Sequence, residues 1–477
     1  MPRRTRPMRS ADILWLTMDR PTNLMVIVSV VLLERVPDWD RVLDVIRDRI
    51  IEPYPVFSQR AVRSRGPLAR HRWQDDPDFD LERHVHRATL PAGATDSDLQ
   101  EYIEDHLTEA LDTSRPLWEV HFVDGPGDGA ALIFRIHHAL ADGIALTRVL
   151  LGLTEDADGR PGDLLAAAPA QRVAAAPPAA DRPGAVAAAS RLVLTTARAG
   201  WKRLRERGVR ASLTDVAGTT LRTGQVVSDL LLTTNPTSAV GGEPGRRKRI
   251  VWTTPLPLPG LKQAGRLVGA TLNDVLMSAV AGALHAYQAD RGLDPVDLVT
   301  MVPVNVRPLD EPLPRELGNR FALLFLRFPS RDATPLGRLA LSKARMDWLK
   351  SSPEATLTYA LISVIGRLPA RIERGVVDFF ADKAIGVTTN VAGPRELRHL
   401  AGVPVTGVLG WVPGSGRHTL GFCIVTYDDA VRIGVMADEG VVTDPEALLA
   451  ALEDEVALLV RIGAAGDAAP RRGRRRS

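Results

Sequence analysis

Between Asp156 and Gly184 the chain reads DADGRPGDLLAAAPAQRVAAAPPAADRPG, a run of alanine, proline and aspartate with no core of its own. Such a segment reads as an exposed linker, and at 477 residues the chain is long enough for two folding units on either side of it. Both flanks share a mixed character. In residues 11–155, the strand-like run NLMVIVSVVLLE is followed by helix-like DWDRVLDVIRDRIIE and DLQEYIEDHLTEAL. From Ile250 onward, candidate strands RIVWTTPLPL, DLVTMVPVNV, FALLFLRF, AIGVTTNV, VTGVLGWV, GFCIVTY and VRIGVMAD alternate with helices expected near 271–290, 335–351 and 444–461. Residues 186–235 read as connecting helices, and no fixed-period repeat points to a solenoid. The expected class is α/β, in two halves joined by a long connector.

Charge is concentrated at the ends. Arg3, Arg4, Arg6 and Arg9 stand in the first ten residues and Arg471, Arg472, Arg474, Arg475 and Arg476 in the last seven, with no acid in either segment. Removing those nine charges from the formal net charge of +3 leaves the body net acidic, so the high pI belongs to the tails. No nucleic-acid-binding module accompanies them, which leaves solvated tails or contact with an anionic membrane surface. The run LMVIVSVVLL (24–33) is too short to span a bilayer and reads as a buried strand. One cysteine, Cys423, excludes an internal disulfide and fits a reducing compartment; within LGFCIVTY it reads as a buried structural thiol. The expected location is cytoplasmic, with any membrane association peripheral.

The densest chemistry lies in RIHHALADGIAL (135–146). Strand alternation through ALIFRIHH puts Leu132, Phe134, Ile136 and His138 on one face and Ile133, Arg135 and His137 on the other. The adjacent imidazoles therefore point apart, which argues against a shared metal ion, and no third ligand follows at zinc-enzyme spacing. Asp142 falls where a helix N-cap belongs, and Gly143 suits a close backbone approach in a tight strand-to-helix turn. Two readings stand side by side. In one, the stretch is a capped helix beside core histidines. In the other, His138 is a neutral general base at a cleft, with His137 positioning the turn and Asp142 bracing the loop. No G-x-S-x-G nucleophile elbow is present, since Pro413 stands where its first glycine should be.

HHALADG matches the HHxxxDG signature, and other segments follow in order: WQDDPDFDLERHVHRATLP (73–91), LDTSRPLWEVHFVDG (111–125), TLNDVLMSAVAGAL (271–284), VPVNVRP (302–308), LGNRF (317–321) and TNVAGP (389–394). Over roughly residues 10–460 the chain resembles the bacterial wax ester synthase/diacylglycerol acyltransferase family of coenzyme-A-dependent acyltransferases. One departure is TNVAGP, where the family usually reads Ser-Asn-Val-Pro-Gly-Pro; Asn390, Gly393 and Pro394 persist. The resemblance implies two chloramphenicol-acetyltransferase-like domains forming a pseudo-dimer joined by a long helical linker. The corresponding boundaries are a basic arm at 1–10, an N-terminal domain at 11–155, linker and connecting helices at 156–245, a C-terminal domain at 246–463 and a basic tail at 464–477.

The same resemblance implies a monomer that moves a long acyl chain from acyl-CoA, a substrate rather than a cofactor, onto diacylglycerol or a fatty alcohol. No metal and no nucleic acid is expected, and lipid substrates imply a membrane or lipid-droplet surface. His138 would take the acceptor's proton and Asn273 would donate its amide to the oxyanion, with His137, Asp142, Gly143 and Asp274 as support. A plain capping pattern from Thr271 explains Asp274 well and Asn273 less well. Trp118, Arg307, Asn319 and Asn390 are candidates for lining the substrate channel or organising the interdomain site, although a tryptophan in a strand is also ordinary core. The alternatives are a related acyltransferase with another hydroxyl acceptor and a non-catalytic lipid-binding homologue.

Overall fold

A computed structural model describes residues 5–63, 71–162, 235–305, 312–351, 358, 362, 365 and 370–468. The connecting helices expected over 186–235, Arg307 and the C-terminal arginines lie outside the described residues. The first half contains β1 (Thr5–Pro7), α1 (Ser10–Met18), β2 (Val26–Leu33), α2 (Trp39–Ile46), β3 (Gln59–Arg63), β4 (His71–Asp75), β5 (Val85–Thr89), α3 (Asp96–Leu107), β6 (Trp118–Asp124), β7 (Ala130–His137) and α4 (Gly143–Leu151). The second contains β8 (Lys248–Trp252), β9 (Leu256–Pro257), α5 (Leu258–Arg266), α6 (Leu272–Ala289), β10 (Leu298–Asn305), β11 (Phe321–Phe328), α7 (Pro335–Ser351), α8 (Ala370–Ala381), β12 (Gly386–Ala392), β13 (His399–Leu400), β14 (Val403–Trp411), β15 (Leu420–Tyr427), β16 (Ala430–Asp438) and α9 (Pro445–Ala468).

Each half is built on a sheet, and one strand crosses between them. The first sheet runs β13-β14-β2-β7-β6-β5; the second runs β11-β10-β12-β15-β16-β8, with β9 beside β16. β14 belongs by sequence to the second half but pairs antiparallel with β2, with Trp411 opposite Val28 and Val405 opposite Leu33. β2 is thus an interior strand, covered on both faces, which explains why its sequence is a continuous apolar run. Ile27, Val31 and Leu33 enter the main core of the first half, while Val28 and Val30 enter a smaller core on the other face. The same alternation in β7 sends Leu132, Phe134 and Ile136 to the main core and Ala131 and Ile133 to the smaller one.

In the second half, α6 starts with a capping box: Thr271 Oγ1 accepts from Asp274 N and Asp274 Oδ2 accepts from Thr271 N. α5, α6 and α9 pack together around a core that also holds Phe422, Ile424, Ile433 and Val435 from β15 and β16. Cys423 is buried in β15, where burial pushes its thiol up to about 12, as expected of a structural thiol.

The N-terminal arm departs from a plain solvated tail. Thr5–Pro7 pairs antiparallel with β4, and Arg6 bonds Gln59 while its guanidinium lies 5.9 Å from the Trp73 ring. A strand edge and an aromatic face recruit the arginine, a role that composition alone does not reveal.

Candidate active site

His138 follows the last residue of β7, where its backbone N–H donates to Met25 O at 2.7 Å. Its ring stacks on Trp15 of α1, with centroids 3.9 Å apart and planes 18° from parallel, and Phe321 lies 6.0 Å away. Apolar rings on this side leave the imidazole half-buried. Burial pushes it down to about 4, against hydrogen bonds that pull it up. It is therefore neutral near pH 7.

The neighbouring hydrogen bonds decide which ring nitrogen carries the proton. Asn319, in the loop before β11, donates through Nδ2 to Asp12 Oδ1 and to the His138 carbonyl, each at 2.9 Å. A flipped amide would set its oxygen against those two acceptors, so Oδ1 must be the atom 3.1 Å from His138 Nδ1. That contact requires a proton on Nδ1, and the ring's hydrogen bond to its own backbone acts beside it. Nε2 keeps its lone pair, the arrangement a general base needs.

The second half reaches this site through consecutive backbone groups. Asn319 N donates to Asp12 Oδ1 at 3.0 Å and Arg320 N donates to Asp142 Oδ2 at 3.0 Å. Asp142 also caps α4, accepting from Ala145 N at 2.8 Å, so one carboxylate starts a helix and ties the halves together. His137 accepts from Ala139 N at 3.1 Å and lies 3.7 Å from Asp19, which fixes the turn after β7. The expectation for Gly143 needs correction. An added Cβ would meet nothing within 4 Å, so no close backbone approach calls for glycine; the residue opens α4 beside free space.

Asn273 sits in the first turn of α6, and its Oδ1 accepts from Asn390 Nδ2 at 2.9 Å. This pairing uses the Asn273 oxygen and leaves its amide N–H groups out of the Asn390 bond. Asp274 is fully buried and engaged in the capping box, with Lys350 3.9 Å from its other oxygen. The structure thus forms two pairs, His138 with Asn319 and Asn273 with Asn390, and no hydrogen bond joins them directly among the described residues. Trp118 lies elsewhere. It is 2% exposed, stacked on His84 at 4.7 Å, edge-on to Phe57, and donates from Nε1 to Phe57 O at 2.8 Å. Those contacts describe a core support rather than a channel wall.

The two adjacent histidines engage different partners, as strand alternation requires. Elsewhere, His86, Glu119 and His121 bring possible metal-ligand atoms within 4.8 Å of one another. Glu119 is ion-paired with buried Arg135, whose positive charge opposes a cation there. A cleft of about 430 Å³, including its open mouth, lies on the His137 face of β7, lined by Val26, Val28, Arg135, Arg246 and Lys248. Sequence reasoning missed Asp12 and Trp15. Their only local signal is an acid and an indole three residues apart on the buried side of a short helix, within SADILWLTM.

Comparison with known proteins agrees with this architecture. The wax ester synthase/diacylglycerol acyltransferase catalytic-domain model matches residues 8–276, and the C-terminal-domain model of the same family matches residues 317–459. A Mycobacterium tuberculosis protein described as a "probable diacyglycerol O-acyltransferase" is 28% identical over 465 residues, covering 95% of each chain. The wax ester synthase/diacylglycerol acyltransferase from Marinobacter aquaeolei superimposes with a TM-score of 0.66 at 19% identity, covering 96% of this chain and 100% of that one. A condensation domain of the CDA synthetase superimposes at 0.53 with 15% identity, covering 97% of this chain and 96% of its own, a likeness of fold alone.

Proposed function

The chain belongs to the wax ester synthase/diacylglycerol acyltransferase family, and from that premise we propose that it esterifies a lipid hydroxyl with a long acyl chain taken from acyl-CoA, using His138 Nε2 as the base. The observation that carries this reading is the Asn319 contact, which puts the ring proton on Nδ1 and leaves Nε2 free. As the acceptor oxygen attacks the thioester carbonyl, its proton passes to Nε2. The tetrahedral oxyanion collapses, the carbon–sulfur bond breaks, and the imidazolium returns the proton to the leaving thiolate. The products are an ester and free coenzyme A. Coenzyme A is a good leaving group, with a thiol pKa comparable to the ~8.5 of cysteine, so one base can serve both transfers without an acyl-enzyme. The side-chain N–H of Asn273, whose oxygen is taken by Asn390, is the proposed oxyanion donor, and such a donor is worth a factor of about 10²–10³ in rate.

Diacylglycerol and long-chain alcohols are the proposed acceptors, giving triacylglycerol and wax esters. No cofactor takes part in this scheme. Among the described residues no helix is long and apolar enough to cross a membrane. Access to lipid acceptors is therefore proposed to be peripheral, at a membrane or droplet surface, by a monomer in the cytoplasm.

The test is release of coenzyme A from palmitoyl-CoA with diacylglycerol and, separately, hexadecanol, the ester being identified by mass spectrometry. Ester formation abolished in His138→Ala supports the base and ranks the acceptors. Binding of palmitoyl-CoA without ester from either acceptor would refute the storage-lipid reading and point to a different hydroxyl.

A further inference from the structure

Asp12 is a fully buried carboxyl group, 307 positions in sequence from the residue it holds, with Arg9 and Arg6 near enough to act on its charge. Such burial is unfavourable unless the group is well engaged, yet only one of its oxygens is. Oδ1 accepts from both the backbone N–H and the side-chain amide of Asn319, while Oδ2 is buried with no hydrogen-bond partner among the described residues. Leu14, Trp15 and Met18 around it on α1 are all buried and apolar, so packing alone would favour an apolar side chain at this position.

The sequence around Asn319 is shaped to meet this carboxylate. Gly318 has a φ of 142°, a conformation that favours glycine. A Cβ there would stand 3.1 Å from Arg9 Nη1 and 3.4 Å from Asp12 Oδ2. The glycine therefore lets the loop pass close to Asp12 and turn the Asn319 N–H toward it. Arg9 and the first turn of α1 supply positive potential on the same side.

We propose that Asp12 is a positioning residue for the base: by taking the backbone N–H and a side-chain N–H of Asn319 it holds the carboxamide with Oδ1 toward His138 Nδ1, and so reinforces, beside the ring's hydrogen bond to its own backbone, the tautomer that frees Nε2. The proposal rests on reading His138 as the base. Without Asp12, the His138 carbonyl is the acceptor that remains, among the described residues, to hold the Asn319 amide in this orientation. A flipped amide would offer N–H to Nδ1, which would move the ring proton to Nε2 and remove the base.

Asp12→Ala and Asp12→Asn separate this role from packing. Asparagine keeps an oxygen that can accept both N–H groups, whereas alanine keeps none. The first readout is the tautomer of His138 in ¹⁵N-histidine-labelled full-length protein, from long-range proton–nitrogen correlation spectra with the His138 signals identified by their loss in His138→Gln. The native protein should show the Nδ1–H form, and Asp12→Ala should show Nε2–H or a mixture. The second readout is kinetic. Asp12→Ala should lower kcat at least about tenfold with KM for palmitoyl-CoA changed less than about twofold, and Asp12→Asn should recover most of the loss.

An unaltered tautomer in Asp12→Ala would overturn the proposal, as would an activity loss that tracks thermal stability and is not recovered by asparagine. The spectra do not depend on ester synthesis. If the tautomer shifts as expected but the native protein esterifies neither acceptor, the functional reading fails and the positioning role stands.

Discussion

Trp15 keeps His138 dry, so removing the indole should move the acid limit of the reaction. The two rings stack at 3.9 Å, and burial is the largest cause of the fall in the imidazole pKa to about 4. In Trp15→Ala, water reaches the ring and its pKa should return toward the ordinary value of about 6.5. A general base works only when neutral, so on the proposed mechanism activity is lost as pH falls through the His138 pKa. At pH 5.5 a group with a pKa near 4 is about 97% neutral, whereas one near 6.5 is about 9% neutral. Between pH 7.5 and 5.5, kcat/KM should therefore stay nearly level in the native protein and fall about tenfold in the variant. Coenzyme A release from palmitoyl-CoA can be followed from pH 5 to 8 with a disulfide reagent that reacts in acid, each point checked by mass spectrometry of the ester. The cavity left by Trp→Ala removes about 3–5 kcal/mol of stability, so thermal melts at each pH must show that the variant is folded. A native acid limb near pH 6.5, or a folded variant whose limb stays with the native one, would refute the argument.

Other consequences can be measured on the same protein. His418 accepts from Ser415 N at 3.0 Å, contacts Ala381 O at 3.0 Å, and burial pushes its imidazole down to about 4. The unfolded chain protonates it first as pH falls below about 6.5, so its contribution to stability declines toward pH 4, by about 2–3 kcal/mol at pH 4.5; urea melts at pH 7 and 4.5 should show that much less acid sensitivity in His418→Gln. Asn273→Ala should lower kcat about 10²–10³-fold with little change in melting temperature. Thr271→Ala removes only the cap and should lower stability by about 1 kcal/mol, with kcat far less affected; a reversal of that pattern would exchange the two roles. Trp118→Ala should lower stability by about 3–5 kcal/mol while leaving KM for palmitoyl-CoA close to native, and a raised KM at unchanged stability would return Trp118 to the substrate channel.

What could be read directly from the sequence is whatever one element determines alone. The apolar run of β2, the alternation of β7 and the Thr271 cap each follow from neighbours a few positions apart, and strand and helix limits such as Phe321–Phe328 and Leu272–Ala289 fall within a residue or so of the pattern. The partnership of β14 with β2 could not be read this way, because VTGVLGWV would suit an interior position in either sheet. Trp118 was ambiguous for a related reason: burial and channel lining call for the same side chain, and only the His84 stack and the Phe57 carbonyl distinguish them.

The same logic explains why the histidine was legible while the groups around it were not. His138 lies in a contiguous motif, but its neighbours come from three distant segments: α1 supplies Trp15 and Asp12, the loop before β11 supplies Asn319, and the start of β2 holds its backbone at Met25. Asp12 and Asp142 grip the successive N–H groups of Asn319 and Arg320, so the contact that joins the halves also fixes the proton on the imidazole. On the proposed mechanism, docking of the halves and competence of His138 as a base are thereby coupled. A substitution that loosens this loop without touching His138 should then weaken catalysis as well as the interface, because Asn319 reinforces from across the domain boundary the Nδ1 proton that the ring's hydrogen bond to its own backbone also favours.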